Sequence, residues 1–143
     1  MRAALHLQNL RLTPVGTTGR LEITATLSGA TLSGAPSGNH ALQVRVDSPS
    51  GAEVAQTTLD AAGHGYAQIN PNVLALWSPG SPALYTVTVT LTQDDQPIDE
   101  LSATCGFRTI EARDGRIYLN GEPLYLRGVL DQAYYPQTIY TPP

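Results

Sequence analysis

The chain has 143 residues, a formal net charge of −4, 41% hydrophobic residues and only 14% charged residues. This length is enough for one domain with a real core, because a chain near this size buries about 70% of its unfolded surface. No cluster of Lys or Arg stands out, which excludes a basic surface for nucleic acid or anionic lipid. No long apolar run and no charged-then-apolar leader is present, so we expect neither a membrane span nor a signal peptide.

The first half of the sequence predicts short strands separated by polar turns. Leu5 and Leu7 share one parity and Leu10 and Leu12 the other, which predicts a bulge near Asn9 in a first strand. Four further strands are predicted at residues 21–27, 42–46, 54–59 and 63–69, the third of them at a sheet edge. The Gly- and Ser-rich residues 28–39 predict a long loop.

The second half contains the clearest strand signals. Asn70-Pro71 predicts a capped helical turn, and a double-proline loop that contains Trp77 follows it. From Tyr85 to Leu91, apolar residues alternate strictly with threonines. Asp94-Asp95 predicts a turn, and residues 101–107 predict the next strand.

About seven strands with turns at short intervals, and no sustained 3.6-residue period, indicate an all-β fold. This spacing favours an immunoglobulin-like β-sandwich. Tyr85 opens the penultimate strand, where such sandwiches often place a tyrosine that hydrogen-bonds across a corner.

A β-hairpin signal follows the sandwich. Residues 117–126 read IYLNGEPLYL, and Asn120-Gly121 fits a two-residue type I′ turn, in which both residues have positive φ. A new apolar strand at residues 124–130 has no successor before Pro143. We therefore predict a complete sandwich at residues 1–113 and the opening piece of a second domain at residues 114–143.

Three motifs in order carry a family resemblance: LWSPGSPALY at 76–85, GFR at 106–108 and IYLNGEPLYLRGV at 117–129. Together they resemble glycoside hydrolase family 2, which includes β-galactosidases, β-glucuronidases and β-mannosidases. The resemblance implies an upstream sugar-binding domain, then an immunoglobulin-like sandwich, then a TIM barrel that carries two catalytic glutamates. Residues 114–143 would then be the hairpin and first strand of a truncated TIM barrel.

The resemblance also implies where substrate would be contacted in the full-length enzyme. Residues 128–130 would form the first barrel strand, and active sites lie at the C-terminal ends of barrel strands. The residues implied to border the sugar are Asp131, Gln132, Tyr134 and Tyr135. The usual family pattern after RGV carries Asn and His, whereas Leu130-Asp131-Gln132 stands here, which argues against carrying over the sugar preference of β-galactosidase.

No catalytic residue is assigned within the chain. The family's two glutamates would lie on later barrel strands, beyond these 143 residues. A retaining glycosidase needs two carboxyls about 5–5.5 Å apart. Asp94-Asp95 and Asp99-Glu100 are interpreted as solvated turns. Adjacent strand residues point to opposite faces, so neither dipeptide can bring its two carboxyls together.

The remaining reactive side chains favour structural roles. His6, His40 and His64 lack metal-ligand spacing and are interpreted as surface imidazoles, so neither a metal nor a cofactor is expected. Cys105 alternates with apolar neighbours as a small buried hydrophobe. Trp77 could form a sugar-stacking platform, but packing beneath the double-proline loop is favoured.

Two hypotheses for function remain. The first is a non-catalytic sandwich that positions the barrel of a family 2 glycosidase, whose partners are the missing barrel, the upstream domain and a carbohydrate substrate. The alternative is a free-standing carbohydrate-binding or adhesive module. The unpartnered apolar strand also predicts self-association through residues 114–143.

Overall fold

The computed structural model of the protein describes residues 5–29, 39–129 and 135–139. Across these ranges the fold is all-β, with a single 3-10 turn at Pro71–Val73. In chain order the strands are β1 Leu5–Pro14, β2 Arg20–Gly29, β3 His40–Asp47, β4 Glu53–Leu59, β5 His64–Gln68, β6 Tyr85–Gln93, β7 Gln96–Cys105, β8 Ile110–Arg113, β9 Arg116–Leu119 and β10 Glu122–Leu124. The chain divides into two compact units, Met1–Thr109 and Ile110–Pro143. Among the described residues, no helix is long and apolar enough to cross a membrane.

The first unit is a β-sandwich of seven strands. One sheet has the order β1-β2-β5 and the other β4-β3-β6-β7, and every pairing within them is antiparallel. The edge strand β4 lies beside β3, so the sheets hold three and four strands. In an immunoglobulin constant domain the fourth strand instead lies on the first sheet. The predicted immunoglobulin-like sandwich is confirmed, including the edge position of β4.

The core of the sandwich follows from the alternation of side chains along its strands. Successive strand residues point to opposite faces, so one parity of each strand faces the other sheet. The buried apolar side chains contributed by β2, β3 and β6 are Leu21, Ile23, Ala25, Leu42, Val44, Val46, Tyr85, Val87, Val89 and Leu91. These are the residues whose alternation predicted the strands.

The bulge predicted in the first strand is present and joins the two sheets. The pairing of β1 with β2 shifts register between Leu7 and Asn9. At this point the backbone N–H of Leu7 donates to Asp99 Oδ2 on β7 at 2.7 Å. Asp99-Glu100 therefore lies inside β7, and its assignment to a solvated turn was wrong. The strand begins directly after a two-residue turn, at Gln96.

The second unit contains a three-stranded antiparallel sheet in the order β8-β9-β10. Asn120 and Gly121 join β9 to β10 with φ of 53° and 85°, which confirms the predicted type I′ turn. Asp114 and Gly115 join β8 to β9 in the same way, with φ of 50° and 68°. Because Ile110–Arg113 pairs with β9, the division between the units falls after Thr109, whereas the predicted domains met after Arg113.

The apolar strand predicted at residues 124–130, of which residues 128–130 would open the barrel, is not formed over the described residues 125–129. Among the described residues the last strand, β10, ends at Leu124, and residues 125–129 pair with none of the described strands. A strand requires a hydrogen-bonded neighbour, and among the described residues β10 has one neighbour only, β9. The beginning of a TIM barrel therefore stays a prediction.

Candidate functional site

The predicted substrate-contacting residues are not brought together in the described structure. Asp131, Gln132 and Tyr134 lie outside the described residues. Tyr135 is half-buried, and its backbone exchanges two hydrogen bonds with Ile139, each 2.9 Å between nitrogen and oxygen. The assignment of these four residues to a sugar site stays a prediction.

A different group of side chains converges where the last strand of the sandwich ends. Tyr85 is buried, and its hydroxyl accepts a hydrogen bond from the backbone N–H of Ala75 at 2.8 Å. The rings of Tyr85 and Phe107 meet edge to face, with centroids 5.3 Å apart and planes at 86°. This is the corner tyrosine that the sequence predicted. It ties the double-proline loop to the core.

The same loop holds the chain after β7. Leu76 forms a parallel bridge with Phe107, and the Trp77 N–H donates to the Phe107 carbonyl at 2.8 Å. Gly106 lies so close to Trp77 that a Cβ added at Gly106 would be 3.0 Å from the Trp77 Cβ. The path of the chain out of the sandwich is therefore fixed by backbone contacts through Phe107.

Trp77 is half-buried rather than packed fully beneath the loop, and Arg108 stacks on its ring. The guanidinium carbon lies 4.7 Å from the ring centroid, a cation–π distance. Since Arg108 covers one ring face, that face is closed to a stacked sugar. The stack joins residues 31 positions apart, and the only sequence signal for it was the presence of both in family motifs.

A shallow hollow surrounds this stack. Its lining residues are Trp77, Leu84, Thr104, Cys105, Gly106 and Arg108. Burial raises the pKa of the Cys105 thiol to about 11, so the thiol is protonated at neutral pH and is a poor nucleophile. The hollow therefore offers apolar contact and one cation rather than covalent chemistry.

Several carboxylates serve the backbone instead of forming a catalytic pair. Asp94 Oδ1 accepts the N–H of Asn39 at 3.0 Å, while Asp94-Asp95 forms the predicted turn. Asp60 Oδ1 accepts the N–H groups of His64 and Ala62 at 2.8 and 2.9 Å. The hydrogen bond from His64 is the largest of the effects that hold the pKa of Asp60 below its usual value. Both carboxylates therefore stabilise the backbone of connections between strands.

The histidines do not gather into a metal centre. His64 is exposed, whereas His6 and His40 are half-buried and so are not the surface imidazoles that the sequence suggested. Within the part of the chain that the structure describes, no three His, Cys, Asp or Glu side chains are grouped closely enough to hold a metal ion.

Comparison with known proteins places the sandwich in a family. A profile of glycosyl hydrolases family 2 matches residues 5–108. The chain belongs to glycosyl hydrolases family 2. The match covers the whole sandwich, and so extends well before the motifs that carried the resemblance in the sequence.

Two relatives are similar over part of the chain. A β-galactosidase of Thermoanaerobacter pseudethanolicus is 43% identical over 61 residues, which are 42% of this chain and 8% of that protein. A β-galactosidase of Vibrio cholerae serotype O1 is 38% identical over 79 residues, which are 54% of this chain and 7% of that protein. The chain thus matches less than a tenth of the length of either relative.

A solved structure shares the fold. The β-glucuronidase of Ruminococcus gnavus in complex with D-glucuronic acid superimposes with a TM-score of 0.66. The superposition covers 95% of this chain and 22% of the glucuronidase chain, at 22% sequence identity. At this identity the likeness is one of fold.

Proposed function

We propose that residues 5–108 form a non-catalytic sandwich of a family 2 glycosidase, which holds a catalytic TIM barrel in a fixed direction. The observation that carries the proposal is the corner at the end of β7, where Leu76 and Trp77 bind the Phe107 backbone over the buried Tyr85. A linker anchored in this way transmits the orientation of the sandwich to whatever follows it. A domain joined by a free linker would move independently.

The chemistry is assigned to the barrel. In the proposed whole enzyme, two glutamates on the barrel hydrolyse β-glycosidic bonds with retention, one as acid/base and the other as nucleophile. Asp131, Gln132, Tyr134 and Tyr135 border the substrate there. The roles of Asp60, Asp94 and Asp99 in the sandwich support this division, because each of these carboxylates already binds backbone N–H groups.

The first prediction is that the purified 143-residue chain does not hydrolyse nitrophenyl β-galactoside, β-glucuronide or β-mannoside. A TIM barrel needs about 250 residues, so a complete catalytic domain does not fit in the chain. The measurement is release of nitrophenol, with the protein encoded by the whole surrounding reading frame as the active control. Hydrolysis that survives purification and is abolished by Asp131→Ala would overturn the proposal.

A binding assay separates this function from a free-standing carbohydrate-binding module. A glycan array followed by affinity electrophoresis on the same chain is expected to show no specific sugar. Specific binding with a Kd below about 1 mM would instead favour the binding module.

A further inference from the structure

The hollow around Trp77 and Arg108 has the composition of a protein-binding surface. Leu84 is 44% exposed and lines the hollow together with the half-buried indole. Aromatic residues and Arg are enriched at protein interfaces, where a well-packed centre carries most of the binding energy. An exposed Leu and a half-buried Trp beside one Arg therefore suit an apolar side chain with an acidic neighbour.

The charge on Arg108 provides the more specific observation. Three arginines in the described residues stack on aromatic rings, namely Arg20 on Tyr66, Arg108 on Trp77 and Arg113 on Tyr118. Each of the other two also has a carboxylate nearby: Glu22 lies 3.5 Å from Arg20, and Glu111 lies 3.9 Å from Arg113. Within the described part of the chain, Arg108 is the one member of this set without an ion pair.

The contact with one ring leaves Arg108 suited to a carboxylate from outside the sandwich. A guanidinium carries five N–H donors in its plane, and no ion pair of Arg108 occupies them within the described part of the chain. A carboxylate can accept two of these donors side by side, which is the stronger form of this hydrogen bond. The complementary group is therefore an Asp or Glu presented at the rim of the hollow.

The position of the hollow indicates which partner carries that acid. Its lining includes residues 104–106 and Arg108, and the family match ends at residue 108. The matched relatives are more than ten times longer than their aligned segments. The chain therefore leaves the sandwich beside this hollow.

We propose that the Trp77–Arg108 hollow is the docking surface for the catalytic domain of the full-length protein. That domain places an apolar side chain against Trp77 and Leu84 and a carboxylate on Arg108. This inference rests on the proposed function and adds the surface through which the sandwich holds the barrel.

Hydroxyl-radical footprinting, read by mass spectrometry, tests the inference without any substitution. The full-length protein and the 143-residue chain are oxidised in parallel, and modification of Trp77 and Leu84 is compared. Docking excludes water from the hollow, so both residues should be modified at least about fivefold more slowly in the full-length protein. Tyr66 is the matched control, because it also carries a stacked Arg but lies on β5, and its rate should not change. Equal rates for Trp77 in the two proteins would overturn the inference.

A charge reversal then tests the carboxylate. Arg108→Glu in the full-length protein should restore Trp77 modification to the rate of the isolated chain, whereas the matched Arg20→Glu should not. If Trp77 stays protected in Arg108→Glu, the proposed carboxylate is wrong. If the unsubstituted full-length protein is active but Trp77 is not protected from oxidation, the docking surface alone is refuted. If that protein is inactive although Trp77 is protected, the proposed function is refuted instead.

Discussion

At the scale of single residues, Tyr85 has the best-defined role in the sandwich. Its ring is buried against Phe107, and its hydroxyl satisfies the N–H of Ala75. The residue could be predicted because its place before an alternating strand is a property of local sequence. Its partner could not, because the choice of Ala75 depends on how the intervening double-proline loop folds.

Tyr85→Phe should lower the free energy of unfolding by about 1–2 kcal/mol. The substitution keeps the ring contacts but leaves the half-buried N–H of Ala75 without its acceptor, and an unsatisfied donor carries a desolvation penalty. Urea unfolding measures the loss. Tyr66→Phe is the control, since Tyr66 is 51% exposed, and its effect should stay within about 0.5 kcal/mol. Equal effects of the two substitutions would show that the corner hydrogen bond does not contribute to stability.

Trp77→Ala should lower the free energy of unfolding by about 2 kcal/mol. A fully buried Trp would lose about 3–5 kcal/mol, but this ring is only half-buried, and the stack with Arg108 adds less than about 1 kcal/mol at an exposed site. Urea denaturation followed by circular dichroism is suitable, because the chain has a single Trp and the variant loses its fluorescence. The exposed Val73→Ala serves as the control. A loss below about 1 kcal/mol would mean that the ring packs little against the sandwich and would reopen the sugar-platform hypothesis.

At the scale of elements, the turns were more predictable than the strands that they join. Asn120-Gly121 could be predicted because few residues tolerate positive φ at two successive positions. The turn at Asp114-Gly115 has the same geometry, but weak alternation in Ile110–Arg113 hid the strand before it. Alternation identified the buried strands of the sandwich, whereas the end of β10 depends on which neighbours are available to pair.

The turn at Asp94-Asp95 holds two successive non-glycine residues at positive φ. It joins β6 to β7 with φ of 51° and 61°, values that are costly for residues with a Cβ. Asp95→Gly should therefore raise the free energy of unfolding by about 0.5–1 kcal/mol, as relief of the strain exceeds the entropy that glycine adds to the unfolded chain. Thermal unfolding monitors the change.

Asp94→Gly is the matched control for this turn. It relieves the same kind of strain but removes the carboxylate that accepts the Asn39 N–H, so it should not stabilise the chain. If Asp95→Gly destabilises the protein, the left-handed backbone at residue 95 is not strained.

At the scale of the whole molecule, the second unit leaves large apolar side chains in water. The exposed residues of this kind are Ile110, Tyr125, Leu126, Val129 and Ile139. Exposed apolar surface and open strand edges favour contact with another chain, so the predicted self-association stays a prediction for this unit.

The 143-residue chain should therefore form dimers or larger assemblies, whereas a chain ending at Thr109 should be monomeric. Ending at Thr109 removes the second unit entirely, including β8. Light scattering at matched high concentrations compares the two. If both chains are monomeric, association through residues 110–143 is refuted. If the shorter chain also associates, the contact lies in the sandwich.

The sequence was most informative where local pattern and tertiary structure agree. Strict alternation in β6 and the parity switch in β1 correctly predicted core and bulge, and three ordered motifs indicated the family. The Arg108–Trp77 stack and the Leu7–Asp99 hydrogen bond could not be predicted, because each joins residues far apart in sequence whose side chains also fit a solvent-exposed role.

The hydrogen bond from Leu7 to Asp99 also has a consequence for how the sandwich assembles. It spans 92 positions of sequence, whereas β6 and β7 meet across a two-residue turn. The entropic cost of closing a loop grows with its length, so short connections form first during folding. We therefore expect the β6–β7 hairpin to form before the N-terminal strand is attached across the two sheets.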